Sequence, residues 1–212
     1  MKDQIIDYIR RNRVSTTEVA DCLDKTGVIP GVHALNRGHF RVGPVHWAYA
    51  DGESNWACHE GLRDVAEGAV VVVDAFDCGE RAIFGDLVTK FLVLYRQAEA
   101  VVVVGNMRDA ARLIRENYPV WCAGTNPVGC FNTADRPLAD PSLVAERRAY
   151  LEGAIAVCDD TGVVIIPKER YDAEFLGRLE AIEEQEDIWY ECIDRRKWDT
   201  YDTVCLKKYL ED

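Results

Sequence analysis

The chain has 212 residues, a length that fits one ordinary domain with a terminal extension. Its 25 basic and 37 acidic side chains give a formal net charge of −12, which would repel a phosphate backbone, so we expect no nucleic-acid partner. No apolar run is long enough to cross a bilayer, and the start of the chain lacks a signal-peptide core. We therefore expect a cytoplasmic protein without membrane contact, whose eight dispersed cysteines are reduced.

The first 27 residues carry helical signals, and Ser15 with Glu18 has the form of a capping box. Glycine and proline interrupt the next stretch, which predicts a loop and then short strands over residues 40–49. The beginning of the chain is thus predicted to be helical and then extended.

Two valine-rich runs, residues 69–76 and 100–109, have the composition of strands that are covered on both faces. The segment between them, residues 85–100, has helical length and spacing, so the three together predict a β-α-β unit. A third apolar run, residues 153–167, is interrupted by the turn-forming residues 159–162, which predicts a hairpin.

From Lys168 onward the spacing of apolar residues predicts an amphipathic helix. The tail after Trp189 is rich in aromatic residues and is expected to pack on the body of the protein or on a neighbouring subunit. We therefore divide the chain into a domain over residues 1–188 and a C-terminal extension over residues 189–212.

The motifs of phosphate loops, dinucleotide-binding folds, zinc proteases and serine hydrolases are absent from the sequence. Candidate chemistry remains around the β-α-β unit. Gly85, Asp86 and Leu87 open its helix, where free backbone N–H groups can bind a carboxylate. Arg108 and Asp109 follow the second valine run, at the edge where α/β sheets place their ligands, so both groups are expected in one crevice.

These residues suit one kind of chemistry. Asp109 can anchor a hydrated Mg²⁺ (or Mn²⁺), and Arg108 can bind a keto or carboxylate oxygen. Together they could stabilise the enolate that forms when a C–C bond of a 2-oxo acid breaks. The alternative is an ordinary helix cap beside a surface ion pair, and Arg63-Asp64 shows that the dipeptide also occurs elsewhere in this chain.

The order of several segments resembles the RraA-like family, which includes 4-hydroxy-4-methyl-2-oxoglutarate aldolases and protein regulators of ribonuclease E. The resemblance covers residues 14 to about 188, and its segments are VSTTEVADCLDKTG, FRVGPVHWAY, EGAVVVVDAF, AIFGDLVTK, EAVVVVGNMRD, YPVWCAGTNP and GAIAVCDDTGVVIIPKE. The separation of Asp86 from Arg108 is one residue longer than the family pattern, which suggests an insertion in the intervening helix.

The resemblance implies an α/β fold of the swivelling β/β/α type with a C-terminal helical extension, and a homotrimer or hexamer with active sites between subunits. It also implies roles for individual residues. Arg108 would contact a pyruvate moiety, Asp109 would hold Mg²⁺, and the amides of residues 85–87 would bind a carboxylate. Glu186 is the candidate for a glutamate contributed by a neighbouring subunit.

The first functional hypothesis is therefore a divalent-metal-dependent lyase or aldolase. It would cleave a small 2-oxo acid, either a 4-hydroxy-2-oxo acid or an oxaloacetate-type substrate, through a pyruvate enolate. One alternative is a non-catalytic regulator of an RNA-processing enzyme, for which the acidic surface is suited. Another is a biosynthetic relative that acts on a larger, sugar-derived oxo acid.

Overall fold

A computed structural model describes residues 1–135 and 139–211 of the chain. Its centre is a seven-stranded sheet in the order β1-β5-β4-β3-β2-β6-β7. The strands are β1 (His33–Ala34), β2 (Arg41–Asp51), β3 (Val70–Phe76), β4 (Ala100–Met107), β5 (Val120–Thr125), β6 (Ile155–Cys158) and β7 (Val163–Ile166). Strands β2 to β5 run parallel, whereas β1, β6 and β7 pair antiparallel with their neighbours. The prediction of a mixed α/β domain is confirmed.

Seven α-helices accompany the sheet in the described part of the chain. They are α1 (Lys2–Asn12), α2 (Thr16–Cys22), α3 (Trp56–Gly61), α4 (Asp86–Lys90), α5 (Ala110–Arg115), α6 (Pro141–Leu151) and α7 (Ala173–Asp194). A π-helical turn, Phe91–Tyr95, continues α4. None of these helices has the length and apolar character needed to cross a membrane.

The valine runs are buried on both faces, as predicted. Val71 and Val73 of β3 point into the apolar cluster beneath α3 and α5, whereas Val70 and Val72 point into the cluster covered by α6 and the β6–β7 hairpin. A third cluster joins the outer face of the hairpin to α1, α2 and α7. The apolar residues on both faces of the central strands therefore have packing partners. This explains why apolar and polar residues do not alternate along these runs.

Several sequence predictions need correction in detail. The N-terminal helical region is two helices, because Arg13 takes a left-handed conformation (φ 57°) between them. The short strands expected over residues 40–49 are one strand, β2, whose start pairs with β6 and whose end pairs with β3. The helix predicted over residues 85–100 is shorter: it covers Asp86–Lys90 and ends in the π-helical turn, where Arg96 N–H donates to Phe91 O over 3.0 Å.

Two further features bear on the C-terminal region. The predicted hairpin is present, with β6 and β7 on either side of residues 159–162. Helix α7 runs through position 188 without a break, and the tail folds back on it: Trp189 Nε1 donates to Tyr209 Oη over 3.2 Å. The tail thus packs on the helix of its own chain, and a boundary at residues 188 and 189 stays a prediction.

Candidate active site

A cavity of about 150 Å³ lies at the carboxyl ends of β3 and β4, between α3, α4 and the loop that follows β5. Five of the residues singled out from the sequence line it: Gly85, Asp86, Leu87, Arg108 and Asp109. The parallel pairing of β3 with β4 brings the two groups together, because both then follow strands that end at the same edge of the sheet. The expectation of a shared crevice therefore agrees with the geometry.

Backbone hydrogen bonds fix the spacing between the segment around residues 85–87, here called the glycine loop, and the Arg108-Asp109 pair. Ile83 N–H donates to Asn106 O over 2.8 Å, and Arg108 N–H donates to Phe84 O over 3.0 Å. The loop that precedes α4 therefore lies directly alongside the end of β4. A bulge in β4 between Val103 and Asn106 adds one residue opposite β5 just before this point.

Asp109 sits in a left-handed conformation (φ 60°) at the first turn of α5, and its carboxylate turns back toward the glycine loop. Its Oδ2 accepts the N–H of Asp86 over 3.2 Å. The backbone group predicted to bind a substrate carboxylate is thus occupied by a carboxylate of the protein itself. A substrate carboxylate can reach this N–H only if the Asp109 side chain turns away.

Gly85 is required by the closeness of these groups. A Cβ at this position would lie 2.1 Å from Asp109 Oδ2 and 2.8 Å from Arg108 Cγ. Because its φ is negative (−141°), Gly85 does not adopt the left-handed conformation that favours glycine, and the closeness of these atoms is what excludes a side chain. Gly129, on the opposite wall, is also close: its Cβ would lie 3.1 Å from Arg108 Nη1.

Arg112 binds the second carboxylate of the cavity, that of Asp86. Its Nη1 donates to Asp86 Oδ2 over 2.6 Å. This charged hydrogen bond lowers the pKa of Asp86. Asp86 is thereby kept ionised, and the guanidinium that holds it was not singled out from the sequence.

Two further lining residues were missed: Asn55, which immediately precedes α3, and His59 of α3. Asn55 is 6 % exposed, and its Nδ2 donates to Ile83 O over 2.8 Å. Its Oδ1 is buried and has no hydrogen-bond partner among residues 1–135 and 139–211. A buried acceptor without a hydrogen-bond partner costs free energy, which makes Asn55 an unusual position in the cavity wall.

The sequence carries only a weak indication that these two residues belong to the site. Asn55 and His59 are four apart at the start of a short helix, so they lie on one face of it. The helix was not predicted, and a histidine without metal-ligand spacing carried little weight.

Glu186 lies elsewhere in the chain. It is on α7, where burial raises the pKa of its carboxyl, and the nearby charges of Glu18 and Asp21 add to that effect. It does not line the cavity described above. A role for Glu186 would need the α7 helix of another subunit, as the resemblance implies, and it stays a prediction.

The carboxylate oxygens at the cavity fit a hydrated Mg²⁺. The side chain of Asp109 is 39 % exposed. Of its two carboxylate oxygens, only Oδ2 accepts a hydrogen bond from an N–H group of the described residues. The described residues contain no group of three or more histidine, cysteine or acidic side chains arranged to hold a metal ion. Mg²⁺ needs fewer protein ligands, since it keeps several waters and takes one or two carboxylates.

The sequence pattern of the RraA-like family, described as Aldolase/RraA, matches residues 16–165. The chain belongs to the RraA-like family. A protein of Halalkalibacterium halodurans named "Putative 4-hydroxy-4-methyl-2-oxoglutarate aldolase" is 28% identical over 184 residues, which cover 79% of this chain and 80% of that protein. The matched region includes the glycine loop, the Arg108-Asp109 pair and α3.

Solved structures show the same fold for this RraA-like chain. An uncharacterized protein from Pseudomonas syringae pv. tomato superposes with a TM-score of 0.71 at 24% identity and covers 95% of this chain and 96% of its own. RraAS2 of Streptomyces coelicolor, described as an unusual member of the RNase ES inhibitor RraA protein family, has a TM-score of 0.68 at 24% identity and covers 89% and 94%. At these identities the likeness concerns the fold, which is that of the RraA family.

Proposed function

We propose that this RraA-like protein is a divalent-metal-dependent lyase that cleaves a C–C bond of a small 2-oxo acid. The observation that carries the proposal is the convergence of Arg108, Asp109 and the glycine loop on one cavity. The closeness of Arg108 and Asp109 leaves room only for glycine at position 85. A chance ion pair on the surface would not restrict a neighbouring residue in this way. The relative from H. halodurans, named as an aldolase, supports the same reaction class.

Each residue has a role that its chemistry supports. The Arg108 guanidinium, 53 % exposed at its side chain, would bind the carboxylate and keto oxygens of the substrate. Asp109 would hold Mg²⁺ or Mn²⁺ through its carboxylate. When bound, the cation supplies Lewis-acid stabilisation of the negative charge that develops on the keto oxygen. No lysine is required as a covalent catalyst.

The size of the cavity indicates the substrate class. About 150 Å³ is small compared with the roughly 300–1,000 Å³ of sites for drug-sized ligands. A pyruvate unit with a short leaving group, as in oxaloacetate or 4-hydroxy-4-methyl-2-oxoglutarate, suits this volume. A large sugar-derived oxo acid suits it less well.

Assembly into a homotrimer or hexamer belongs to the same proposal. Large apolar side chains are exposed beside the glycine loop, on α4, its π-helical turn and α5: Leu87, Phe91, Leu94, Tyr95 and Ile114. We call this set the α4 strip. Large apolar side chains exposed close together in the chain are typical of interaction sites, and Leu87 in this set also lines the cavity, so a subunit that covers the strip would lie next to it. This arrangement is compatible with a glutamate such as Glu186 arriving from a second copy.

A regulator of an RNA-processing enzyme is the second candidate, because the similar structure RraAS2 is described as belonging to an RNase inhibitor family. The net charge of −12 would favour binding to basic segments of such an enzyme. The convergence of Arg108, Asp109 and Gly85 on one cavity favours the lyase, since a regulator that binds through its outer surface does not need it.

The deciding measurement is pyruvate release from oxaloacetate and from 4-hydroxy-4-methyl-2-oxoglutarate, with Mg²⁺ and with EDTA. We expect metal-dependent turnover in the unchanged protein and its loss in Asp109→Ala and Asp109→Asn. The asparagine variant keeps the size of the side chain and removes its charge, so it separates metal binding from packing.

A matched control is the Arg63-Asp64 dipeptide, which lies outside the cavity; Asp64 is 99 % exposed at its side chain. Asp64→Asn should leave turnover unchanged. The lyase proposal fails if the folded protein releases no pyruvate from either substrate, or if EDTA has no effect. Inhibition of an RNase E-type enzyme by the same inactive protein would then support the regulator.

A further inference from the structure

A second cavity lies at the same edge of the sheet, on its other face. Its volume is about 350 Å³, more than twice the 150 Å³ of the candidate active site. Asp74, Phe76 and Val104, near the carboxyl ends of β3 and β4, line it. Phe76 and Val104 pack on the cluster covered by α6 and the β6–β7 hairpin, whereas the candidate active site lies on the side of α3. We call this second space the α6 cavity, and it lies where parallel strands commonly place a ligand.

Hydrogen bonds hold the walls of the α6 cavity in place. Residues 27–30 form one wall, and Ile29 N–H donates to Val163 O of β7 over 2.9 Å. Another wall is α6, where Arg147 donates to the Asp74 carboxylate from Nε over 2.9 Å and from Nη2 over 3.0 Å. The fold therefore forms this space by itself, as is usual for sites that bind small molecules.

The polar groups of the α6 cavity are mainly hydrogen-bond donors. Arg147 gives its Nε–Nη2 edge to Asp74, and in the described part of the chain its Nη1 donates to no acceptor. The Nη1–Nη2 edge of a guanidinium matches the two oxygens of a carboxylate, and this side chain is 30 % exposed. Asp74 already accepts three hydrogen bonds, two from Arg147 and one from Trp47 Nε1, so it has little capacity for a ligand donor.

Tyr150 adds a second donor beside the guanidinium. Its ring centroid lies 6.0 Å from Arg147 Cζ, and both residues line the α6 cavity. The remaining lining is mostly apolar and includes Ile29, Phe76 and Ile165. A ligand for this space therefore needs an acceptor at one end and an apolar body at the other.

We propose that the α6 cavity is a second binding site, which takes a small apolar monocarboxylate such as an aromatic acid. The carboxylate accepts hydrogen bonds from the Nη1–Nη2 edge of Arg147 and from the Tyr150 hydroxyl, and the apolar body packs on Ile29 and Phe76. An uncharged ligand of the same shape loses the charge-assisted hydrogen bonds. The site does not depend on the proposed lyase activity, because no residue lines both cavities.

The test is isothermal titration calorimetry of the full chain with benzoate, with hexanoate and with benzyl alcohol. Benzyl alcohol keeps the aromatic ring and lacks the charge. We expect an acid to bind at one site per chain, at least about tenfold more tightly than the alcohol, because hydrogen bonds to a charged group are the stronger ones.

Two variants locate the site without removing the partner of Asp74. Tyr150→Phe keeps the ring and should weaken binding of the acid by about tenfold, the effect of one lost hydrogen bond. Val28→Glu, at a lining residue that is 63 % exposed, places a like charge at the mouth of the cavity and should also weaken it. Val128→Glu is the matched control, since this valine is 54 % exposed and lines neither cavity. Circular dichroism checks that each variant is folded.

A last variant separates the two cavities. Arg108→Gln removes the guanidinium of the candidate active site, and the acid should still bind in the α6 cavity. The proposal is overturned if neither acid binds, or if benzyl alcohol binds as tightly as benzoate. It is also overturned if Arg108→Gln abolishes binding of the acid while Val28→Glu leaves it unchanged, because the ligand then occupies the candidate active site.

Discussion

At the scale of a single residue, a substitution at Gly85 tests the proposed role of the cavity. A Cβ at this position would meet Asp109 Oδ2 at 2.1 Å and Arg108 Cγ at 2.8 Å. Gly85→Ala must therefore displace both groups at once. We expect pyruvate release to fall by about a hundredfold or more, because small displacements of reacting groups have effects of this size.

Gly177 provides the control for that substitution. It lies on the exposed side of α7, and a methyl group added there would have no atom of another residue within 4 Å. Gly177→Ala should keep full activity and raise the free energy of unfolding by about 1 kcal/mol, the usual gain within a helix. Equal activity in the two alanine variants would contradict the assigned role of Gly85.

Glu186 gives a prediction on pH. Burial, followed by the negative charges of Glu18 and Asp21, raises the pKa of its carboxyl in the folded state. A raised carboxyl pKa means that the folded protein holds this proton more tightly than the unfolded chain does. Ionisation of Glu186 therefore costs stability, and this cost appears as the pH rises from the unfolded pKa through the folded pKa.

Glu186→Gln should accordingly raise Tm at neutral pH, and the difference from the unchanged protein should disappear below about pH 4, where both states are protonated. Thermal unfolding followed by circular dichroism checks this. Glu184→Gln, an exposed change on the same helix, is the control for net charge. A stabilised Glu186→Gln that loses lyase activity would support the predicted role of Glu186 in a neighbouring active site.

At the scale of elements, an ion pair joins α6 to β3. Asp74, 5 % exposed at its side chain, accepts two hydrogen bonds from Arg147, at 2.9 and 3.0 Å, and a third from Trp47 Nε1 at 2.8 Å. This pairing raises the pKa of Arg147, in keeping with a guanidinium held against a carboxylate. Removal of the arginine would leave the buried Asp74 side chain without its main hydrogen-bond partner.

Arg147→Met should therefore lower the free energy of unfolding in urea by about 3 kcal/mol, as for other buried pairs that lose one partner. Arg148→Met is the neighbouring control. Arg148 lies over the Trp47 ring at 5.1 Å, and its loss should cost less than about 1 kcal/mol. Similar losses in the two variants would show that α6 does not depend on this ion pair.

The elements that sequence predicted best were those with a local signal. The capping box of α2 is present, with Glu18 N–H donating to Ser15 Oγ and Ser15 N–H donating to Glu18 Oε2. The valine strands and the hairpin also follow from patterns of a few residues. The convergence of residues 85–87 with Arg108 and Asp109 could be predicted because parallel strands end at one edge.

The elements that were missed depend on distant contacts. Helix α3 is six residues long and packs on β2, and this distant contact places Asn55, just before the helix, and His59 at the cavity. The helix after Gly85 ends early because Ala98 N–H bonds back to Leu92 O over 3.0 Å, so the chain can enter β4. Neither contact has a signature in the neighbouring sequence.

At the scale of the whole molecule, the α4 strip predicts assembly. Tyr95 is 70 % exposed within it, and Tyr201 of the C-terminal tail is 61 % exposed outside it. Tyr95→Glu would place a charge in an apolar subunit contact, and we expect it to shift the protein toward smaller species in sedimentation velocity. Tyr201→Glu adds the same charge elsewhere and should leave the sedimentation coefficient unchanged. A monomeric unchanged protein would refute the predicted assembly.

The cluster that joins α1 and α2 to the β6–β7 hairpin and α7 has a consequence for folding during synthesis. Ile5, Ile9 and Val19 leave the ribosome long before their packing partners Ile166 and Phe175 are made. Until then the apolar faces of both helices stay without a covering surface. Contacts between such distant parts of a chain close slowly, so we expect nascent chains that end before the hairpin to bind chaperones strongly and to be released once α7 has emerged.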